Sequence, residues 1–249
     1  MRLPGLKRPE WLAERRCAAC REPFLPWGTD AAGRLLCGRC AGMLKTREAG
    51  YCPYCGEIFA FEEAPCTPCG ACMQKLPPWS EFLFYGVHEG LLRELIVQAK
   101  FGGSLPLRHL LGCLIAGRCT AHYGVTLRPD AIVPMPLYPA RLRERGYSQC
   151  REICRPVEKA LGVPVRQELL EKILPTPEQA RLGREERKKL GRVFRGAPQA
   201  AGMRILLVDD VCTTGTTLRR AAEALLAAGA ARVDVAVLAR TPAHGVGPA

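Results

Sequence analysis

Arg204-Ile-Leu-Leu-Val-Asp-Asp-Val-Cys-Thr-Thr-Gly-Thr-Thr-Leu218 decides the fold of this chain. Ile205–Val208 is a short apolar run, the length of a strand buried on both faces. Asp209 and Asp210 stand at its C-terminal end, and Thr213-Thr214-Gly215-Thr216-Thr217 follows as a small, hydroxyl-rich turn. Leu218–Ala228 then has the Ala/Leu composition of a helix, which Gly229 ends. Strand, acidic pair, hydroxyl loop and helix together form a unit that binds phosphate and sugar. The helix N-terminus offers unpaired N–H groups and the positive end of its dipole. Gly215 lets the backbone come close to an anion. The two carboxylates can accept hydrogen bonds from vicinal ribose hydroxyls or reach a magnesium ion.

The run resembles the phosphoribosyl pyrophosphate (PRPP) motif of type I phosphoribosyltransferases: four apolar residues, two acids, then a Thr/Ser-Gly-Thr loop. The resemblance implies that Asp209 and Asp210 bind the ribose 2′- and 3′-hydroxyls and that Thr213, Thr214, Gly215, Thr216 and Thr217 cradle the 5′-phosphate.

Working outward, the apolar fraction of 48% in 249 residues supports one medium domain with a real core plus a smaller unit. No run reaches the roughly 18 apolar residues of a membrane span. Met1-Arg-Leu-Pro-Gly-Leu-Lys-Arg-Pro9 has charge but no apolar signal core, so a cytosolic location is expected.

Eight of the fourteen cysteines form four Cys-x-x-Cys pairs before residue 73. Sixteen residues separate Cys17-x-x-Cys20 from Cys37-x-x-Cys40, and thirteen separate Cys52-x-x-Cys55 from Cys69-x-x-Cys72. In a cytosolic chain this is zinc-ribbon spacing, with each turn offering two sulfurs to one tetrahedral ion. Two structural zinc ions are expected, closed by four thiolates each, with the metal holding folded a stretch that has little core. Sequential pairing of the knuckles is expected. A cross-braced arrangement stays open, and Cys66-x-x-Cys69 is an alternative to the fourth knuckle. Lys75-Leu-Pro-Pro-Trp-Ser80 then reads as an extended, semi-rigid linker, dividing a metal module at residues 1–79 from a domain at 80–249.

In the middle of the chain, Glu81–Val87 reads as a strand. Gly90–Lys100 reads as an amphipathic helix with Leu91, Leu92, Leu95 and Ile96 inside, and Leu105–Ala121 as a second helix. Asp130–Pro134 is a short strand that Pro134 and Pro136 close. The basic loop after it carries Arg141, Arg143 and Arg145, which could chelate pyrophosphate oxygens bidentately. Glu152–Leu161 reads as a helix, Val163–Leu169 as a strand, and Thr176–Leu190 as a basic helix or flap. Residues 172–192 are the candidate lid, since an activated ribosyl cation must be kept from water. Arg232–Ala239 reads as a buried final strand and Arg240–Ala249 as a frayed tail.

The whole chain resembles the ComF family, amidophosphoribosyltransferase-like proteins of bacterial competence. The resemblance rests on the double ribbon, Phe84-Tyr-Gly86, Lys100-Phe-Gly-Gly103, Val133-Pro-Met-Pro136, Arg145-Gly-Tyr-Ser-Gln149, Gln179-Ala-Arg-Leu182 with Arg187 and Phe194, and the PRPP motif. Two residues depart from the pattern: Ser148 stands where the family has Asn, and Leu190 stands near its second Asn. Ser148 keeps a hydroxyl, whereas Leu190 has no donor.

The fold expected is a type I phosphoribosyltransferase-like, doubly wound parallel α/β sheet preceded by a zinc-ribbon module. The resemblance implies magnesium–PRPP as ligand, with Lys100 and Arg145 beside it, a transfer of ribose 5-phosphate to an acceptor no motif identifies, and a role in DNA uptake with incoming single-stranded DNA and DNA-uptake proteins. Net charge is +12, which two four-thiolate zinc sites would lower to +8. Residues 141–195 hold 15 basic against 8 acidic side chains, a balance that suits phosphate-rich partners. The rival reading is a non-enzymatic single-stranded DNA-handling competence protein that reuses the phosphoribosyltransferase fold, and the low aromatic content (6%) counts mildly against a dedicated stacking platform in it.

Overall fold

The computed structural model describes residues 15–28, 30–124, 128–140, 143, 146–174 and 193–242. The described residues begin with two two-residue strands, β1 (Arg15–Arg16) and β2 (Pro23–Phe24), and three short helices, α1 (Ala31–Leu35), α2 (Gly38–Gly42) and α3 (Gly70–Gln74). The main body follows as β3 (Phe82–Val87), α4 (Gly90–Phe101), α5 (Leu105–Tyr123), β4 (Ala131–Pro134) and α6 (Gln149–Leu161). A small antiparallel pair, β5 (Leu170–Lys172) and β6 (Phe194–Gly196), precedes β7 (Arg204–Cys212), α7 (Thr216–Ala227) and β8 (Arg232–Arg240).

Four of these strands form one parallel sheet in the order β3-β8-β7-β4. Side chains alternate across it, as a strand's period of two requires. Leu206, Val208, Ala236 and Leu238 face the helices α4, α5 and α6. Ile205, Leu207, Val233, Val235 and Val237 face α7, β5 and β6. The helix after β4 and the helix after β7 thus lie on opposite faces, although these strands are neighbours. The crevice at their C-terminal ends is therefore a topological switch point, where an open α/β sheet receives its ligand.

The helices form where the apolar stripe predicts. In α4, Leu91, Leu92, Leu95, Ile96 and Ala99 are buried on one face. The Ser104 hydroxyl caps α5 by accepting from the Leu107 N–H (3.5 Å), and α5 runs two residues past the expected end, to Tyr123. α6 begins three residues before the expected Glu152, because Ser148 caps it (3.4 Å to the Arg151 N–H).

Three expectations need correction. The strand expected to end at Val208 continues to Cys212, since β8 pairs with it through Asp209↔Val237 and Cys212↔Arg240. Arg240, expected to open a frayed tail, is instead the buried last residue of β8. The strand expected at Val163–Leu169 reduces to one bridge, Val165 to Ile132, because Pro164 has no N–H to donate; the strand here is β5, beginning at Leu170.

The cysteine-rich segment wraps the sheet edge at β3. Cys17, Ala31, Leu36 and Cys40 join the core on the α5 side, while Tyr51, Cys55 and Ile58 pack on the opposite face. Between them the chain crosses β3, where the Arg47 N–H donates to the Tyr85 carbonyl (3.0 Å) and the Tyr85 hydroxyl to the Leu44 carbonyl (2.9 Å). This covers an otherwise open strand edge.

Candidate functional site

Pairing with β8 fixes the backbone of Asp209 and Asp210, so the carboxylates stand at the switch point on rigid strand. Asp209 accepts from the Asp210 N–H (2.9 Å) and from the Cys150 thiol at the start of α6 (3.4 Å). Burial, then the neighbouring Asp210 charge, pushes its carboxyl up to about 7. Asp210 is 8% exposed, accepts from the Val211 N–H (2.8 Å) and pairs with the Lys100 ammonium (3.4 Å). Lys100 comes from the last turn of α4, so the Lys100–Gly103 turn and the acidic pair meet in space across 110 residues of sequence.

The hydroxyl loop lies directly beyond. Gly215 is the N-cap of α7 with φ of 72°, a left-handed conformation that side chains other than glycine's resist. Gly215 itself offers no side-chain cap, and the Thr216 N–H donates to the Thr214 hydroxyl (3.4 Å), so a hydroxyl of the loop sits on the helix N-terminus. The Thr214 and Thr216 hydroxyls lie 3.0 Å apart, and both residues, like Thr213, are exposed. Leu218 is buried and anchors the first turn from beneath. The loop therefore presents hydroxyl donors, N–H groups and a helix dipole to one small volume beside two carboxylates.

The loop after β4 forms the other wall. The Met135 N–H donates to the Val208 carbonyl (2.8 Å), which brings Pro134–Pro136 alongside the acidic strand. A groove of about 380 Å³ runs from Pro134 and Leu137 to Ser148 and Lys172. Arg143 is exposed, whereas Arg141 and Arg145 lie outside the described residues, as does the candidate lid from residue 175 to 192 with Gln179, Arg187 and Leu190. Lys172 lies in β5 over the Phe194 ring (5.7 Å), and Phe194 is buried in β6.

Three further side chains here, Arg108, Gln98 and Arg240, escaped the sequence reading. Arg108 is buried with its guanidinium 4.0 Å over the Tyr147 ring, while the Tyr147 hydroxyl donates to the Lys100 carbonyl (3.2 Å). The Arg108 Nε and Nη1, both amide atoms of Gln149 and the Gln98 Oε1 have no hydrogen-bond partner among the described residues. These groups flank the Lys100–Gly103 and Tyr147–Gln149 turns. Buried groups left unpaired mark a place where water or a polar ligand completes the bonding. Arg240 is the third, with its guanidinium donating to the Cys212 and Thr213 carbonyls.

The eight knuckle cysteines gather into two groups, Cys17, Cys20, Cys37, Cys40 and Cys52, Cys55, Cys69, Cys72, each with its sulfurs within 4.8 Å of one another. Pairing is sequential, and the exposed Cys66 stands apart. A tetrahedral zinc with Zn–S near 2.3 Å has S···S edges of about 3.8 Å. The Cys20–Cys37 and Cys55–Cys69 sulfurs are 3.8 and 3.7 Å apart. Burial pushes the Cys17 thiol up, but the N–H groups of Cys37, Cys20 and Ala19 outweigh it and hold it at about 6, poised as a thiolate. Both groups could hold zinc, and four soft ligands leave no open position for catalysis.

The Phosphoribosyl transferase domain family matches residues 165–247, which include β5, β6, β7, α7 and β8. The DNA utilization protein YhgH of Salmonella typhimurium is 34% identical over 234 residues, covering 90% of this chain and 96% of that one. Competence protein F of Haemophilus influenzae is 29% identical over 231 residues (90% and 96%), and competence protein ComFC of Bacillus subtilis 27% over 204 residues (79% and 80%). The chain belongs to the ComF family. Its fold is accordingly phosphoribosyltransferase-like, with two four-cysteine clusters preceding and wrapping the sheet. In this ComF chain Lys100, Tyr147 and Asp210, widely separated in the family's sequence pattern, line one end of the sheet. Ser148, a departure from that pattern, spends its side-chain oxygen on capping α6. No helix among the described residues is long and apolar enough to cross a membrane.

Proposed function

We propose that the chain binds magnesium–PRPP at the switch point and acts on, or senses, ribose 5-phosphate in the handling of DNA taken up by the cell. The observation that carries this reading is the acidic pair held by β-pairing and followed directly by the hydroxyl loop and the N-terminus of α7. In this reading Asp209 and Asp210 accept from the ribose hydroxyls, and Thr213–Thr217 hold the 5′-phosphate by N–H groups, hydroxyls and dipole. Lys100 and Arg145 serve the pyrophosphate, and the Arg108 Nε and Nη1 and the Gln149 amide, which lack partners among the described residues, add donors near the Lys100 turn. Magnesium, when bound, neutralises pyrophosphate charge and makes it a better leaving group. Transfer would then depend on positioning and charge more than on acid–base chemistry. The zinc ions are structural, and the chain works in the cytoplasm. Arg145→Ala tests the pyrophosphate assignment: PRPP affinity should fall, and unchanged affinity would remove Arg145 from the site.

A second reading is favoured by the relatives, which are named for DNA utilization and competence. Here the basic surface contacts single-stranded DNA directly and the sugar-phosphate site regulates it or is a remnant, since fold alone does not establish activity. A salt titration separates the two. Direct binding weakens steeply with salt through counterion release, whereas a small-molecule enzyme shows little DNA affinity near physiological salt.

A further inference from the structure

Arg240 closes β8 and is 4% exposed, and its side chain makes contacts that ordinary strand pairing does not require. Its Nε donates to the Cys55 carbonyl (3.2 Å), and its Nη2 meets the Glu57 carboxylate (2.7 Å). Its Nη1 donates to the carbonyls of Cys212, Thr213 and Thr241. One planar guanidinium therefore clamps a knuckle cysteine of the second cluster to the entry of the hydroxyl loop. Trp79 makes a parallel connection. Its indole N–H donates to the Tyr54 carbonyl inside the same knuckle (2.6 Å), and its ring lies 3.8 Å from where a Cβ on Gly215 would sit. The Arg219 guanidinium in the first turn of α7 sits 5.8 Å over that ring. Cluster and loop face each other across a single cleft of about 570 Å³, lined by Cys55, Cys69, Cys72, Thr214, Gly215 and Arg240 among others. The first cluster lies on the α5 side of the sheet and contributes nothing to this cleft.

From this arrangement we infer that Arg240 is a positioning residue. It transmits the geometry of the second four-cysteine cluster to the Thr213–Thr217 loop, so that metal at Cys52, Cys55, Cys69 and Cys72 tightens the binding of a phosphate-bearing ligand. The physical chain is short. Metal held by the four sulfurs would fix the knuckle turn and with it the Cys55 carbonyl and Glu57. Those two acceptors fix the guanidinium, and the guanidinium fixes the Thr213 carbonyl from which the loop departs. Lysine can replace the charge but cannot span acceptors on both sides, because it lacks the rigid fork. The coupling is reciprocal: whatever factor the metal adds to ligand affinity, the ligand adds to metal retention at this cluster. The ligand half of the inference rests on the phosphate-loop reading above; the mechanical half does not.

The test uses the full chain with both clusters metal-loaded and compares it with Arg240→Lys, reading three quantities. Without ligand, amide hydrogen exchange at Thr214–Leu218 should quicken in Arg240→Lys by about fivefold or more, the lower end of usual coupling, while both metal ions stay bound. In the natural protein, saturating magnesium–PRPP should slow chelator extraction of one metal ion and not the other. In Arg240→Lys that protection should disappear. Cobalt in place of zinc adds a spectroscopic reading: PRPP should shift the visible absorption of one site in the natural protein and of neither in the variant. If Arg240→Lys does not fold, Glu57→Gln removes one anchor while leaving the clamp on the loop, and should quicken exchange in the same direction. Unchanged loop exchange with both metals retained overturns the inference. Failure of the natural protein to bind PRPP removes the ligand reading alone, because the exchange comparison still decides whether cluster and loop are coupled.

Discussion

At the end of β7, Asp209 shares its surroundings with Asp210 and the Cys150 thiol, and burial with the Asp210 charge pushes its carboxyl up to about 7. Ribose hydroxyls donate best to an ionised carboxylate, and a nearby divalent cation also favours that form. PRPP affinity should therefore fall as the pH drops through about 7, by up to about tenfold per unit, with a proton released on binding. Asp210→Asn removes the like charge and should move the fall to lower pH; calorimetry in buffers of different ionisation heat reads both effects. The sign for stability is separate. A carboxyl whose folded value lies above its unfolded value of about 4 binds more protons folded than unfolded. Its contribution is thus greatest below about 4 and is lost as the pH rises to about 7, so ligand-free protein gains from this group at pH 6 relative to pH 8. Thermal unfolding at the two pH values checks it. Residue type and order were enough to find the acidic pair and the hydroxyl loop. They were not enough for Arg240, whose partners Cys55 and Glu57 lie 185 and 183 residues away. Followed by Thr-Pro-Ala, Arg240 reads locally as the start of a tail.

At the scale of elements, the loop and α7 stand or fall with Gly215. Gly215→Ala places a Cβ at φ of 72°, a strain of about 1–2 kcal/mol. The variant should lose about that much stability in urea titration and bind PRPP more weakly, as the loop relaxes away from its N–H-presenting shape. α5 and β8 offer a test of packing away from the site. The Tyr123 hydroxyl donates to the buried Asp234 carboxylate (2.9 Å), which Arg232 also meets (2.8 Å). Tyr123→Phe leaves that carboxylate one donor short and should cost about 1–3 kcal/mol in denaturant unfolding, without altering PRPP affinity. Element types were largely legible because apolar periodicity reports burial. Their ends were not, because pairing partners set them: β7 extends to Cys212 only because β8 lies beside it. Val163–Leu169 has the composition of a strand, but Pro164 and its position beyond the β4 edge limit it to one bridge.

For the whole molecule, the proposed division into residues 1–79 and 80–249 separates two chemistries that share one packed body. The clusters lie on either side of β3, Tyr51 meets the Phe84 ring edge-on (4.9 Å), and a Cβ at Gly56 would lie 2.3 Å from the Phe82 ring. Stripping metal should therefore do more than loosen a module. It should expose Phe82, Phe84 and Tyr85 along β3, lower the unfolding temperature of the entire chain and promote aggregation. Freshly purified protein should carry close to two zinc ions, and metal analysis with unfolding before and after chelation measures both claims. Knuckle spacing made the two clusters and their sequential pairing legible. Their placement on opposite faces of the sheet depends on the crossing at Lys45–Arg47, which has no periodic or compositional signal.

The most direct test of the central claim is calorimetric titration of magnesium–PRPP into the natural chain and into an Asp209→Asn, Asp210→Asn double variant. The account predicts saturable binding to the natural protein that disappears in the variant while both metal clusters and the fold persist. Absence of binding by the natural protein, or equal binding by both, would contradict it and leave the acidic pair as a structural feature of a DNA-handling protein.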